Sequence, residues 1–447
     1  MTDATLSRWT MSYFVAALVC LLLAEGLMTC GFGLPAAPLV APDTLALVHL
    51  ISIGWLSLAM CGALVQFVPV LTNVPLRSER TPPIALALLL AGLGLLLSGF
   101  LQLGGRINSG LPLLSAAVVA LGGGFGLIIW NLGVTLWTAR PLTPPARFVA
   151  VGLTSAIATV VLGMMFALIL DGSISTSAAS PFMFGALPLH VVAGLGGWLT
   201  ITAAGVSYRL LSMFMLAPDT DRSRAAKTLR MAGAAIFAAV AGGLACLLAS
   251  TSPLPALLLA LVLGLAALAL YARDITALYR LRRRRALELN NRMAAIALGN
   301  LAAVTVLSVG LLLSGRFLDH IAAVIFLASF GWLTGLVLAK MYKIVAFLTW
   351  LECYGPVLGR QPTPRVQDLV AEATATRWFN LFFAAVWLAT VALLFDNAWI
   401  FRIGAFAMTL ATFAITVELV RTRRLARVPA QTDVPAPCLL YSTPRTS

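Results

Sequence analysis

Twelve apolar runs, each of about 20 residues, recur along this chain, and each is long enough to cross ~30 Å of hydrocarbon as a helix rising 1.5 Å per residue. They cover roughly 11–33, 45–72, 83–104, 112–138, 148–170, 187–216, 229–249, 255–275, 294–315, 319–349, 378–395 and 399–420. A backbone in lipid must satisfy its own hydrogen bonds, so runs of this length are expected as helices. With 60% apolar residues, 10% charged residues and a mean hydropathy of +0.97, no stretch remains for a sizeable soluble domain. The expected fold is all-α: a polytopic membrane protein of twelve transmembrane helices forming one domain over 1–428, with a disordered cytoplasmic tail over 429–447 rich in Pro, Thr and Ser.

The basic residues alternate between connections. The N-terminal arm carries Arg8, the second connection Arg77 and Arg80, and the fourth Arg140 and Arg147. The sixth carries Arg222, Arg224, Lys227 and Arg230, the eighth a run centred on Arg282–Arg285, and the tenth Arg360, Arg365 and Arg377. The odd-numbered connections hold only Arg106, Arg316 and Arg402. Retention of positive loops in the cytoplasm then places both termini inside. The net charge of +14 is a topology signal, and no nucleic-acid partner is expected. The partner is the lipid bilayer, and Arg282–Arg285 can act as a stop-transfer anchor or touch anionic headgroups. The first run is long enough to remain as a span, so no signal cleavage is expected. The six cysteines form no CxxC pair, and four lie inside spans, where Cys behaves as a small apolar filler.

A repeat links three of the runs. The second reads HLISIGWLSLAMCGALVQFVPVL from His49, the sixth HVVAGLGGWLTITAAGVSYRLLSMF from His190, and the tenth HIAAVIFLASFGWLTGLVLAKMYKIVAF from His320. Each holds a Gly-Trp pair, and eleven residues after each Trp stands a long polar side chain: Gln66, Arg209 or Lys343. Tyr208 and Tyr342 precede the last two. The spacing predicts three four-helix repeats, approximately 11–138, 148–275 and 294–420. The polar tier either fixes helix depth by snorkelling or lines a binding path.

His49, His190 and His320 are the only histidines, and each stands near the start of its run. Imidazole inside a span is a functional candidate, although near a helix end it can also meet interfacial water. Asp43 and Asp319 stand just before these ends and suit N-caps. At 1.5 Å per residue, the spacings of 17, 19 and 23 residues from His to the polar tier put His320 about 9 Å above His49 if the tiers lie level. At ~100° per residue the three rings also point to different faces. Glu25 is the most deeply placed carboxylate, suited to proton transfer or to pairing with a neighbouring helix. Glu352 and Tyr354 are expected at the interface after the tenth run, and VQDLVAEATATRWF as an interfacial helix.

Twelve helices in three four-helix arcs, with a second helix that opens at His49 and passes through Gly62 and Pro69, resemble subunit I of the haem–copper oxidases and nitric oxide reductases. The resemblance covers the whole chain in helix count, and its motifs lie on three helices. It implies His49 as an axial ligand of a b-type haem, His320 as a haem ligand on the tenth helix, and His190 in the place of a copper ligand. The chain departs from the family in its seventh run, which has no histidine, and in a tenth run with one histidine instead of two. Copper is not held by His190 alone, so oxidase or nitric oxide reductase activity is not expected. The function implied is electron transfer or sensing through one haem, in a bacterial inner (plasma) membrane, with a redox partner or further membrane subunit. A metal-free transporter or channel using the Arg209 and Lys343 tier, and a structural subunit, are the alternatives.

Overall fold

The computed structural model describes residues 3–428; the expected disordered tail at 429–447, with Cys438, lies outside the described residues. Among the described residues, twelve helices are long and apolar enough to span a membrane: α1 (Arg8–Thr29), α2 (Pro42–Thr72), α3 (Thr81–Leu103), α4 (Leu113–Thr138), α5 (Pro144–Leu170) and α6 (Ala179–Met215). They continue with α7 (Arg222–Leu248), α8 (Leu254–Arg280), α9 (Leu289–Leu313), α10 (Ile321–Val357), α11 (Glu372–Leu394) and α12 (Ala398–Arg423). No β-strand occurs among the described residues. Helix starts follow local chemistry. Proline fills the first turn of α2, α3, α5 and α8, where a missing N–H is no loss. The side chains of Asp221 and Asn397 cap α7 and α12 by accepting from Ser223 N and Ile400 N. Left-handed Gly105, Gly172 and Gly315 close α3, α5 and α9.

The chain divides into two compact units, one of residues 1–63 with 288–447, the other of residues 64–287; the boundary falls within α2. In the first unit, α1 packs on α12 and on the start of α2, α9 packs on α10, and α11 on α12. In the second, α3 pairs with α4, α5 with α6, and α7 with α8.

Several sequence expectations change here. Asp43 and Asp319 are not N-caps: Ala41 occupies that position for α2, and His320 itself does so for α10. The predicted interfacial helix is absent. Val366–Leu369 forms one 3-10 turn, extended Val370 breaks it, and the rest of the segment enters α11. Leu369 holds the turn by packing with Cys353 and Tyr354. Those contacts bury Tyr354, which ends the α-helical part of α10 and is not an interfacial residue.

The largest change is inside the repeat helices. Each Gly-Trp pair sits in a π-helical segment: Leu50–Ser57 in α2, Val192–Ile201 in α6 and Leu327–Thr334 in α10. In a π segment each N–H reaches back five residues instead of four, which widens the turn. The conversion of residue offsets into 100° steps and 1.5 Å rises therefore fails for these helices. The expected 9 Å offset and divergent faces of the histidines do not follow.

Candidate functional site

The π segment of α2 begins at the residue after His49, so the widened turns start beside that imidazole. Its Nδ1 lies 2.8 Å from the carbonyl oxygen of Leu45, one turn earlier. Only a protonated nitrogen donates to a carbonyl, so in the neutral ring the lone pair belongs to Nε2. A carbonyl on one ring nitrogen is also how metal-binding histidines are oriented, since it fixes the tautomer and the plane of the ring. Trp55, buried in the same segment, donates from Nε1 to Thr334 Oγ1 at 2.8 Å. That bond ties the π segment of α2 to the π segment of α10.

His320 stands immediately before α10 and is only 6% exposed, so it does not meet interfacial water as its place in the sequence suggested. Its Nδ1 is buried without a hydrogen-bond partner. An orphaned imidazole nitrogen costs desolvation free energy and suits a ligand or a bound water. Further along α10, Phe326 meets Phe401 of α12 edge to face at 5.4 Å.

Glu25 of α1 is fully buried, as its depth in the sequence suggested. Thr412 of α12 donates to its Oε1 at 2.9 Å, while Oε2 has no hydrogen-bond partner. One turn on, Arg402 Nε donates to the Thr29 carbonyl at 2.9 Å. A polar seam thus joins α1 to α12 within the first unit.

His190 lies in the second unit. Its Nδ1 is 3.1 Å from the Thr159 carbonyl oxygen, and its ring meets Phe166 edge on, at 5.5 Å and 64°. A Cβ on Gly163 would come within 3.1 Å of the His190 ring, so that glycine makes room for it. Among the described residues, no group of three or more His, Cys, Asp or Glu side chains is placed to hold a metal ion. The residues around His190 therefore do not fit a copper centre.

The polar tier does three different jobs. Gln66 has a buried Oε1 without a hydrogen-bond partner. Arg209 is partly exposed and lies 3.5 Å from Asp219. Lys343 is partly buried and forms an ion pair with the buried Glu288 at 2.8 Å. Tyr208 donates to the buried Asp274 at 3.0 Å, whereas Tyr342 meets Phe379 edge to face at 6.1 Å.

Sequence reading missed the buried ionic network in the first unit. Lys340, one turn before Lys343, donates to Asn291 at 3.2 Å, and Gln367 donates to Glu288 at 2.5 Å. Arg423 and Glu352 form a buried ion pair at 2.5 Å, in place of the interfacial Glu352 that was expected. Glu418 receives Arg421 at 2.8 Å and Arg427 at 2.6 Å. The available signal was the number of charges inside or beside apolar runs, each of which needs a partner in lipid.

Compared with models of known protein families and with curated proteins, the sequence matches none.

Proposed function

We propose that this chain is a ligand-depleted member of the architecture found in subunit I of the haem–copper oxidases, binding one b-type haem and acting in electron transfer or sensing. The observation that carries the reading is the His49 imidazole, held by Leu45 in the tautomer that presents Nε2 as a donor to iron. His320, buried with an orphaned Nδ1, is the second candidate ligand. When bound, such a haem supplies one-electron exchange between ferric and ferrous iron. A covalently attached haem is disfavoured, because no CxxCH motif exists in the chain. The protein's part is to hold the ring of His49, to exclude water through the apolar walls of α2 and α10, and to keep the two helices in register through Trp55 and Thr334.

The three tandem four-helix repeats belong to the same proposal, supported by π segments at all three Gly-Trp pairs. So do cytoplasmic termini, residence in an inner membrane, and a redox partner or further subunit.

The test is colour. Protein purified from a haem-replete membrane is expected to show a Soret band that shifts on dithionite reduction. His49→Ala is expected to abolish the band, and His320→Ala to weaken or shift it. A colourless wild-type preparation without iron sinks the haem reading. Transport of a solute or a purely structural role would then take its place. Solute uptake into proteoliposomes that is lost in Arg209→Ala would favour the transporter.

A further inference from the structure

The helices α7 and α8 are the least enclosed of the second unit, with 22% and 17% of their apolar cores buried. They therefore give most of their surface to whatever surrounds the protein. One end of this hairpin is strongly basic. Arg224, Lys227 and Arg230 are exposed on the first turns of α7, and Arg273 and Arg280 are exposed on the last turns of α8.

Two observations show that this end is organised beyond a simple excess of charge. First, Asp274 is buried and accepts from Tyr208 of α6 at 3.0 Å and from Thr228 of α7 at 3.3 Å. Its other oxygen receives Arg273 Nε at 3.2 Å and Nη2 at 3.0 Å. The Thr228 bond sets Lys227 level with Arg273, and the two-point grip holds that guanidinium in a fixed plane. Second, the basic run that follows is tied down: Arg284 N donates to the Met215 carbonyl at 3.3 Å, and Arg282 to the Tyr279 carbonyl at 2.5 Å.

Depth supplies the remaining argument. Arg273 stands seven residues before Arg280 on the same face of α8, which is ~10 Å deeper along the helix. Val262 continues that face and Phe237 continues the face of Lys227 and Arg230; both are well exposed. Cationic groups at two depths above an apolar strip match a lipid phosphate with acyl chains below it. Among the described residues, none of Arg224, Lys227, Arg230 and Arg280 forms an ion pair with a carboxylate.

We propose that the basic end of the α7–α8 hairpin binds the headgroup of an anionic phospholipid, with its acyl chains along Phe237 and Val262. Each cation near such a headgroup favours binding by about five-fold. The experiment compares full-length wild type with a Lys227→Gln, Arg230→Gln, Arg280→Gln variant, and with an Arg106→Gln, Arg316→Gln variant that removes charge from odd-numbered connections. Each, checked for intact helix content, is delipidated and titrated with phosphatidylglycerol, phosphatidylcholine or inorganic phosphate, and bound lipid is read by native mass spectrometry and unfolding midpoint. Wild type and the Arg106/Arg316 variant are expected to retain phosphatidylglycerol and to gain stability from it alone. The triple variant is expected to bind it about 100-fold more weakly. The proposal is overturned if phosphatidylcholine or inorganic phosphate works as well, or if the triple variant binds like wild type.

Discussion

At the scale of single residues, the ionisable groups of the membrane helices fall into two kinds. Some are closed ion pairs. Arg423 and Glu352 are both buried, and Thr349 takes a further hydrogen bond from the same guanidinium at 3.2 Å. Removing one partner from such a pair leaves the other charge in low dielectric without compensation, whereas removing both avoids that cost. Arg423→Ala is therefore expected to destabilise the protein by ~3–5 kcal/mol, and Arg423→Met with Glu352→Leu by much less. Thermal unfolding in detergent separates the two outcomes; equal losses would show that the pair's packing matters more than its charge. Other groups are left open. Glu25 Oε2 and His320 Nδ1 are buried polar atoms without a hydrogen bond, and both lie in the unit that carries His49. Open groups of this kind suit ligands, waters or protons, and closed pairs suit structure. His320 and Glu25 are by this contrast better placed to meet a ligand than Lys343 or Arg209, which both have acidic partners.

At the scale of helices, close approach is made by missing side chains. Gly62 of α2 lies so near α1 that a Cβ there would stand 2.5 Å from the Cβ of Tyr13, and Thr10 donates to the Gly62 carbonyl at 3.0 Å. Neither neighbour is a flexible tip, so Gly62→Ala must push the helices apart, at a cost of ~1–3 kcal/mol. Gly126 of α4 is exposed with open space around it, and alanine there is expected to be neutral or stabilising by up to ~1 kcal/mol. A lower unfolding midpoint for Gly62→Ala alone confirms the close approach; equal effects would refute it. The helices themselves were legible in the sequence, because hydrocarbon thickness dictates the length of every apolar run. Their internal geometry was not. An apolar pattern does not distinguish a hydrogen bond to the fourth preceding residue from one to the fifth, so the π segments were invisible; Gly-Trp pairs stand in three of them, but the one at Ala238–Gly242 in α7 has none. The candidate site was legible only in part. His49, His320 and Glu25 stood out as lone polar residues in apolar runs. Asp274, Lys340 and Arg423 did not, because what defines them is a partner on a distant helix: Asp274 lies 66 residues from Tyr208, Lys340 49 residues from Asn291, and Arg423 74 residues from Thr349.

At the scale of the whole molecule, twelve spans and the alternating charge of their connections make one orientation far more favourable than its reverse. Inverting the chain would carry the basic ends of α7 and α8, with Arg282, Arg283 and Arg285, across the membrane against its potential. An even number of spans puts both termini on the same side, and the proposed orientation has that side in the cytoplasm. The cysteines offer a direct reading of this. Cys30 is exposed immediately after α1, on a connection that carries no basic residue, while Cys20, Cys61 and Cys353 are buried. A variant keeping only Cys30, with the other five cysteines replaced by serine, is expected to react with a membrane-impermeant maleimide in intact cells. A cysteine-free variant carrying Arg283→Cys is expected to react only after the membrane is opened. The two positions test opposite ends of the helices, and a poorly folded protein would label at both without regard to permeability. Labelling of Arg283→Cys in intact cells, with Cys30 protected, would reverse the topology. It would also place the basic hairpin end against the outer leaflet, and the His49 end of α2 on the cytoplasmic side.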